Sequence, residues 1–260
     1  KSTARGERRS RARGHSVEFA DHRNYASGDD FRRLDWNLLA RLDRLFLKLY
    51  EEERELPVRV FLDASESMNF GTPPKFDFAR RTAAAIGHVA LCGFDRVSVS
   101  VFPERAGDGT ARGALRAVRG RKSSLLFLQH LACLSAGGPA SFNDALRRGA
   151  AASGQPGVAV VLSDFLDPAG YEAGLTALLG RGFQVHAVQI LAPEEWNPEA
   201  SGDLRLVDSE TGEIQEVTFG KYRLKAYQRT VEMFCGRLSE FCRARGITFF
   251  RVLSDTRIED

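Results

Sequence analysis

The chain is poor in cysteine: four in 260 residues, at Cys92, Cys133, Cys235 and Cys242, with no Cys-x-x-Cys pair. That spacing excludes the usual zinc and dithiol motifs. Cys235 and Cys242 share a helical stripe with Val231, Phe234, Leu238 and Phe241 and read as core residues in a reducing compartment. The five histidines (His15, His22, His88, His130 and His186) are scattered, and none joins a Ser/His/Asp arrangement. No Gly-x-x-x-x-Gly-Lys-Ser/Thr occurs, and Gly137-Gly138 lacks a lysine, which sets nucleotide binding through a phosphate loop aside. No apolar run approaches the roughly 20 residues that span a bilayer. No signal peptide is visible either, so a cytoplasmic location without membrane attachment is expected.

Charge of one sign is also scarce outside a single segment. Residues 1–14 carry Lys1, Arg5, Arg8, Arg9, Arg11 and Arg13 against Glu7, whereas the whole chain has a net charge of only +3. The basic excess therefore belongs to a tail, expected to be solvated and flexible, and the remainder is slightly acidic. The tail has no interleaved aromatics on which bases could stack, which disfavours nucleic acid as its partner.

What is present is a chain 43% hydrophobic, enough for one large domain with an appendage. Residues 15–56 mix acids and bases finely around Phe19, Tyr25, Trp36 and Leu45, which predicts an N-terminal arm or small β-subdomain anchored by those four residues. Arg23 and Arg32 are expected to pair with Asp29, Asp30 and Asp35. From residue 57 to residue 260, strands and helices alternate, the pattern of a mostly parallel, doubly wound α/β sheet. Strands are expected at 58–63, 96–102, 158–162, 184–191 and 248–253, with an edge strand at 115–118. The helix over 75–91 should turn Phe78, Thr82, Ala85, Ile86 and Val89 inward, and Ser123 should cap a helix reaching Cys133. Residues 192–220 interrupt the pattern with a β-hairpin insertion around Asp208-Ser209-Glu210-Thr211-Gly212-Glu213.

The strand over 58–63 ends in Asp63-Ala64-Ser65-Glu66-Ser67. Such a strand leaves one carboxylate and two hydroxyls at the carboxyl edge of the sheet, where open α/β folds bind ligands. A second apolar strand ends in Ser163-Asp164-Phe165, so Asp164 is expected to converge on Asp63 if the two strands are parallel neighbours. Oxygen-only donors suit a hard cation such as Mg²⁺. An ion held by few charges keeps an outward position for a carboxylate of an incoming partner. The competing reading is that Asp63, Ser65 or Ser67 caps the following helix.

Asp63-x-Ser65-x-Ser67 with a later strand-end Asp164 resembles the metal-ion-dependent adhesion site of von Willebrand factor type A domains. Ser10-Arg11-Ala12-Arg13-Gly14, Arg23-x-Tyr25, Gly28-Asp29-Asp30-x-Arg32, Leu34-Asp35-Trp36, Ser163 to Pro168 and Leu206 to Glu213 resemble a narrower bacterial group, domain of unknown function 58. The resemblance covers essentially the whole chain. It implies a von Willebrand factor A-like fold and a metal site of Asp63, Ser65, Ser67 and Asp164 for Mg²⁺ or Mn²⁺. The family's usual threonine falls at Ala140, which brings no side-chain oxygen; this weakens the expected ion or removes it, unless the neighbouring Ser141 substitutes. The implied partners are a MoxR-type AAA+ ATPase or its client, in protein maturation or remodelling. The chain is thus expected to be a non-enzymatic adaptor. A Mg²⁺-dependent phosphate-ester hydrolase is the rival, but Ser65 stands where such enzymes place a second acid.

Overall fold

A computed structural model describes residues 17–52, 55–103, 113–139, 141–152, 154–198, 202–207, 214–219 and 221–257. The expectations for the tail 1–14, the side chain of Phe19, Ala140 and the hairpin turn 208–213 lie outside the described residues. The chain divides into two units between Glu55 and Leu56.

In the first unit, β1 (Val17–Asn24) pairs antiparallel with β2 (Phe46–Glu52), with a bulge between Phe19 and Asp21. Between them lie a 3-10 turn (Phe31–Arg33) and α1 (Trp36–Leu42). Asp35 caps α1 by accepting from the Asn37 and Leu38 amides, and its Oδ2 lies 2.9 Å from His22 Nε2 and 3.5 Å from Lys48 Nζ. The His22 hydrogen bond, with the capping amides and Lys48, holds its carboxyl down at about 2 against the cost of desolvation. Arg23 does pair with Asp29, at 2.6 Å, but Asp30 accepts from the Arg32 backbone amide and caps the 3-10 turn. Trp36 is exposed and Leu45 is partly so, which corrects their reading as anchors. Trp36 opens a short helix whose cap faces inward, and the buried pair is instead Leu34 and Leu47, joined by an antiparallel bridge. Tyr25 stacks on Phe31, with ring centroids 5.3 Å apart.

In the second unit, side chains of β3 (Pro57–Asp63) alternate between two cores. Val60 and Leu62 join one cluster with Met68, Phe76, Val99 and Phe127. Phe61 joins the other with Phe142, Leu146, Val161, Leu175 and Leu238. A strand buried on both faces needs apolar residues at every position, which is why it reads as a continuous apolar run. The first cluster lies under α2 (Lys75–Cys92) and α3 (Ser124–Ala132). The second lies under α4 (Phe142–Ala151), α5 (Glu172–Gly180) and α7 (Lys221–Ala244). The remaining sheet strands are β4 (Arg96–Phe102), β5 (Ala114–Arg119), β6 (Val158–Ser163), β7 (Gln184–Leu191) and β10 (Thr248–Leu253). Their order is β10-β7-β6-β3-β4-β5, parallel throughout except for the antiparallel edge strand β5. This is the expected doubly wound, von Willebrand factor A-like architecture. From β3 the chain first winds outward to β4 and β5, then returns to build β6, β7 and β10 on the other side. The switch point, where such sheets bind ligands, therefore falls between β3 and β6.

Three local expectations are corrected. On α2 the buried residues are Lys75, Phe76, Phe78, Ala79, Ala83, Gly87, Ala90 and Leu91; of the expected inner face Phe78 is buried and Ile86 packs on the core, whereas Ala85 and Val89 are exposed. Gly87 lies against Phe127 on α3, where a Cβ would collide with the ring. Ser123 makes no cap; its hydroxyl donates to the Arg119 carbonyl. After β7 a short helix, α6 (Pro193–Trp196), precedes the hairpin strands β8 (Gly202–Val207) and β9 (Ile214–Phe219), so Pro193 starts a helix rather than only breaking the chain.

β6 approaches β3 so closely that a Cβ on Gly157 would land on the Pro57 carbonyl. Gly157→Ala is therefore expected to cost about 1–3 kcal/mol as an overpacking change. A shift in the urea unfolding midpoint checks it, and an unchanged midpoint would show that the two strands part freely there.

Candidate divalent-cation site

Parallel pairing of β3 with β6 sets Leu62 opposite Leu162, so the two strands end side by side in Asp63 and in Ser163-Asp164. Both acids and Ser65 are buried. Asp63 Oδ1 accepts from the Ser65 amide at 2.9 Å, a turn that folds the chain sharply off the strand. Asp63 Oδ2 accepts from Ser163 Oγ at 2.5 Å, and Ser163 Oγ in turn accepts from the Phe165 amide at 2.9 Å. The hydroxyls of Ser65 and Ser67 are 3.1 Å apart, and Ser67 donates to Asp164 Oδ2 at 2.8 Å. Asp63, Ser65, Ser67 and Asp164 thus belong to one connected network. The capping alternative is not what the structure shows: neither the 3-10 turn at Glu66–Asn69 nor α2 has a side-chain cap.

The loop that carries Ser141 is pinned to the same edge. The Gly137 amide donates to the Ala64 carbonyl at 2.7 Å, and the Glu66 amide to the Gly138 carbonyl at 2.9 Å. On the other side of Ser141, the Phe142 amide donates to Asp167 Oδ2 at 2.9 Å. Ser141 Oγ is sealed from solvent and has no hydrogen-bond partner among the described residues. A buried hydroxyl without a partner is costly, and this one lies in the loop pinned to the Asp63 turn.

Asp164 is followed by backbone strain. Phe165 takes a left-handed conformation (φ 63°), unusual for a bulky residue. It is held there by packing against Phe142 and Tyr171, with ring centroids at 5.2 and 6.1 Å. The reversal lets the Leu166 amide donate back to Asp164 Oδ1 at 3.0 Å, which fixes the carboxylate.

Two participants were missed in the sequence. Lys75, wholly buried at the first turn of α2, donates to Asp164 Oδ2 at 2.8 Å and to Glu195 Oε1 at 2.6 Å. Glu195, on α6, also accepts from the Ala192 amide through Oε2 at 2.8 Å. Burial works against the Lys75 charge, but Asp164 and Glu195 outweigh it and hold the ammonium above its ordinary value. Burial pushes Glu195 up, with Lys75 partly offsetting it. Asp63 has no such cation: burial first, then the Asp164 charge, push its carboxyl up to about 7. One signal for Lys75 was legible, since a lysine opening a helix stands at the positive end of the helix dipole and needs another reason to be there.

The donors at this edge are two carboxylates and the hydroxyls of Ser65, Ser67 and Ser141. Among the described residues no group of three or more His, Cys, Asp or Glu side chains is placed to hold a metal ion. A soft-metal or fully caged centre is therefore not what these residues build. Their oxygens are of the type that a hard cation keeping several waters takes, and among the described residues no basic side chain hydrogen-bonds to Asp63.

Residues 21–233 match the family described as "Protein of unknown function DUF58". The chain belongs to that family. It is 32% identical over 211 residues to "Uncharacterized protein Rv1480" of Mycobacterium tuberculosis and equally so to "Uncharacterized protein Mb1516" of Mycobacterium bovis. Each match covers 78% of this chain and 64% of the relative, so the chain spans just under two thirds of their length. Among solved structures, the hypothetical protein BatB from Bacteroides thetaiotaomicron is similar with a TM-score of 0.45 and 15% identity, over 76% of this chain and 90% of that one. A von Willebrand factor type A protein from Catenulispora acidiphila gives 0.38 and 18%, over 55% and 35%. These likenesses are loose. The fold of this DUF58 chain is read from its own strand order, and its site from its own side chains.

Proposed function

We propose that this DUF58 domain is a docking adaptor that captures an acidic group of a partner protein through a divalent cation, Mg²⁺ or Mn²⁺. Asp63, Ser65, Ser67 and Ser141 would hold the ion directly, and Asp164 would act on it at longer range. The bound ion supplies an electrophilic corner that a carboxylate can complete; the protein holds the remaining oxygens rigid. The observation that carries this reading is the Asp63–Ser65–Ser67–Asp164 network at the sheet's switch point, with the unpartnered Ser141 hydroxyl beside it. The partner proposed from the family resemblance is a MoxR-type AAA+ ATPase or its client, the ATPase doing the mechanical work and this domain the recognition. Catalysis by the domain itself is not part of the proposal, since the position two residues after Asp63 holds a hydroxyl, not an acid. No described helix is long and apolar enough to cross a membrane.

Calorimetric titration of Mn²⁺ and Mg²⁺ tests the ion. Saturable heat is expected for the wild type and none for Asp63→Ala; equal heats in the two proteins would remove the cation from the account. Recovery of a MoxR-type ATPase on the immobilised domain, lost on adding chelator, is the expected partner result.

A further inference from the structure

We infer that Lys75 is a tethered cation that competes with the divalent ion for Asp164 and so sets how tightly the site binds it. The inference rests on the cation reading above and names the residue that tunes it. Asp164 Oδ2 is already used twice, by the Lys75 ammonium at 2.8 Å and by the Ser67 hydroxyl at 2.8 Å. Its Oδ1 takes the Leu166 amide. Turning this carboxylate toward a metal would strip a buried ammonium of one of its two counter-charges. Asp164 is therefore withheld as a direct ligand for as long as Lys75 lies on it. The ammonium also places a positive charge on the carboxylate nearest the Ser67 end of the network, where a second cation is repelled.

Glu195 is the other half of the device. It shares the ammonium, and it is locked to its own helix start through the Ala192 amide. The loop leading to Lys75 runs close beside that start: a Cβ on Gly71 would fall 2.6 Å from Ala192 Cβ, and Gly71 has φ +98°. Ser254 Oγ donates to the Pro73 carbonyl at 2.9 Å and fixes the same loop. Lys75 cannot swing away with its loop; it can only divide its charge between Asp164 and Glu195. The more Glu195 holds it, the more Asp164 is free for the ion.

The test uses Mn²⁺ and Mg²⁺ titrated into the whole chain by calorimetry. Lys75→Met combined with Glu195→Gln removes one positive and one negative charge, so the formal charge at the site is unchanged while Asp164 Oδ2 is released. This variant is expected to bind Mn²⁺ about tenfold more tightly than the wild type, or more. Glu195→Gln alone leaves Lys75 resting wholly on Asp164 and is expected to bind several-fold more weakly. A purely structural lysine would not produce opposite changes in the two variants. Unchanged or weaker affinity in a folded double variant overturns the inference; should that variant not fold, unchanged affinity in Glu195→Gln does so. Equal, nonzero heats in all three proteins sink the inference and leave the cation reading standing. Absence of heat in all three removes both.

Discussion

Lys75→Met is expected to lower the stability of the unit from Leu56 onward by about 3–5 kcal/mol, the range for breaking a buried ion pair by removing one partner. Methionine nearly matches the volume of the lysine stem, so a cavity contributes little. The loss comes from Asp164 and Glu195, left buried without the ammonium that lies 2.8 and 2.6 Å from them. Helix geometry offsets a small part of this, since the lysine opens α2 at the end where a cation is disfavoured and its removal relieves that repulsion. Adding Glu195→Gln to Lys75→Met removes one of the two stranded charges and should recover part of the loss. Thermal melts would show a fall of roughly 10 °C for the single variant. A wild-type melting temperature in Lys75→Met would mean that the two carboxylates relax into solvent, and that the buried triad is not what fixes this edge of the sheet.

The same triad explains which parts of the site were legible from the sequence. Asp63, Ser65, Ser67 and Asp164 could be placed because each follows an uninterrupted apolar run, and a strand buried on both faces announces itself by that run. Register then does the rest, since parallel pairing of Leu62 with Leu162 fixes where both strands end. The hairpin strands were legible for a similar reason, as two short alternating segments around a turn-rich stretch. Glu195 had no such context. It lies 120 residues from Lys75, on a four-residue helix with no periodicity to read, and only the three-dimensional path of the chain after β7 brings the two together. On α2 the expected inner face holds at Phe78 and, in part, at Ile86, and fails at Ala85 and Val89. Packing decided otherwise: Ala79, Ala83 and Gly87 let the helix lie close, and Val89 was turned outward. Trp36 is no anchor, because it is a large side chain at a helix start whose polar neighbour, Asp35, holds the inner position.

In metal-free buffer, Asp63→Asn is expected to stabilise the domain while abolishing its affinity for Mg²⁺. Asp63 is buried, its carboxylate faces the charge of Asp164, and the nearest ammonium is bonded to Asp164 and Glu195. Burial and that repulsion raise its carboxyl from 3.8 to about 7. Between those values the folded chain keeps a proton that the unfolded chain has released, so stability falls as pH rises through the window. Above about 7 both states are ionised and the full cost of the buried carboxylate is present. Asparagine keeps an acceptor for the Ser65 amide, and its own N–H₂ can donate to Ser163 Oγ, so the hydrogen bonds survive in altered sense while the charge does not. The gain should be roughly 2–4 kcal/mol above neutral pH and close to nothing below about pH 4. Excess Mg²⁺ should reverse the ranking, stabilising the wild type more at about pH 8 than at about pH 5 and leaving the asparagine variant unmoved. Denaturant melts of both proteins at the two pH values, with and without Mg²⁺, decide the matter. Parallel pH profiles for wild type and Asp63→Asn would mean that Asp63 carries no unusual charge burden. The reason for a cation at this edge of the sheet would then be gone. On the cation proposal, the destabilisation that Asp63 brings to the metal-free protein is the cost that a bound ion would offset.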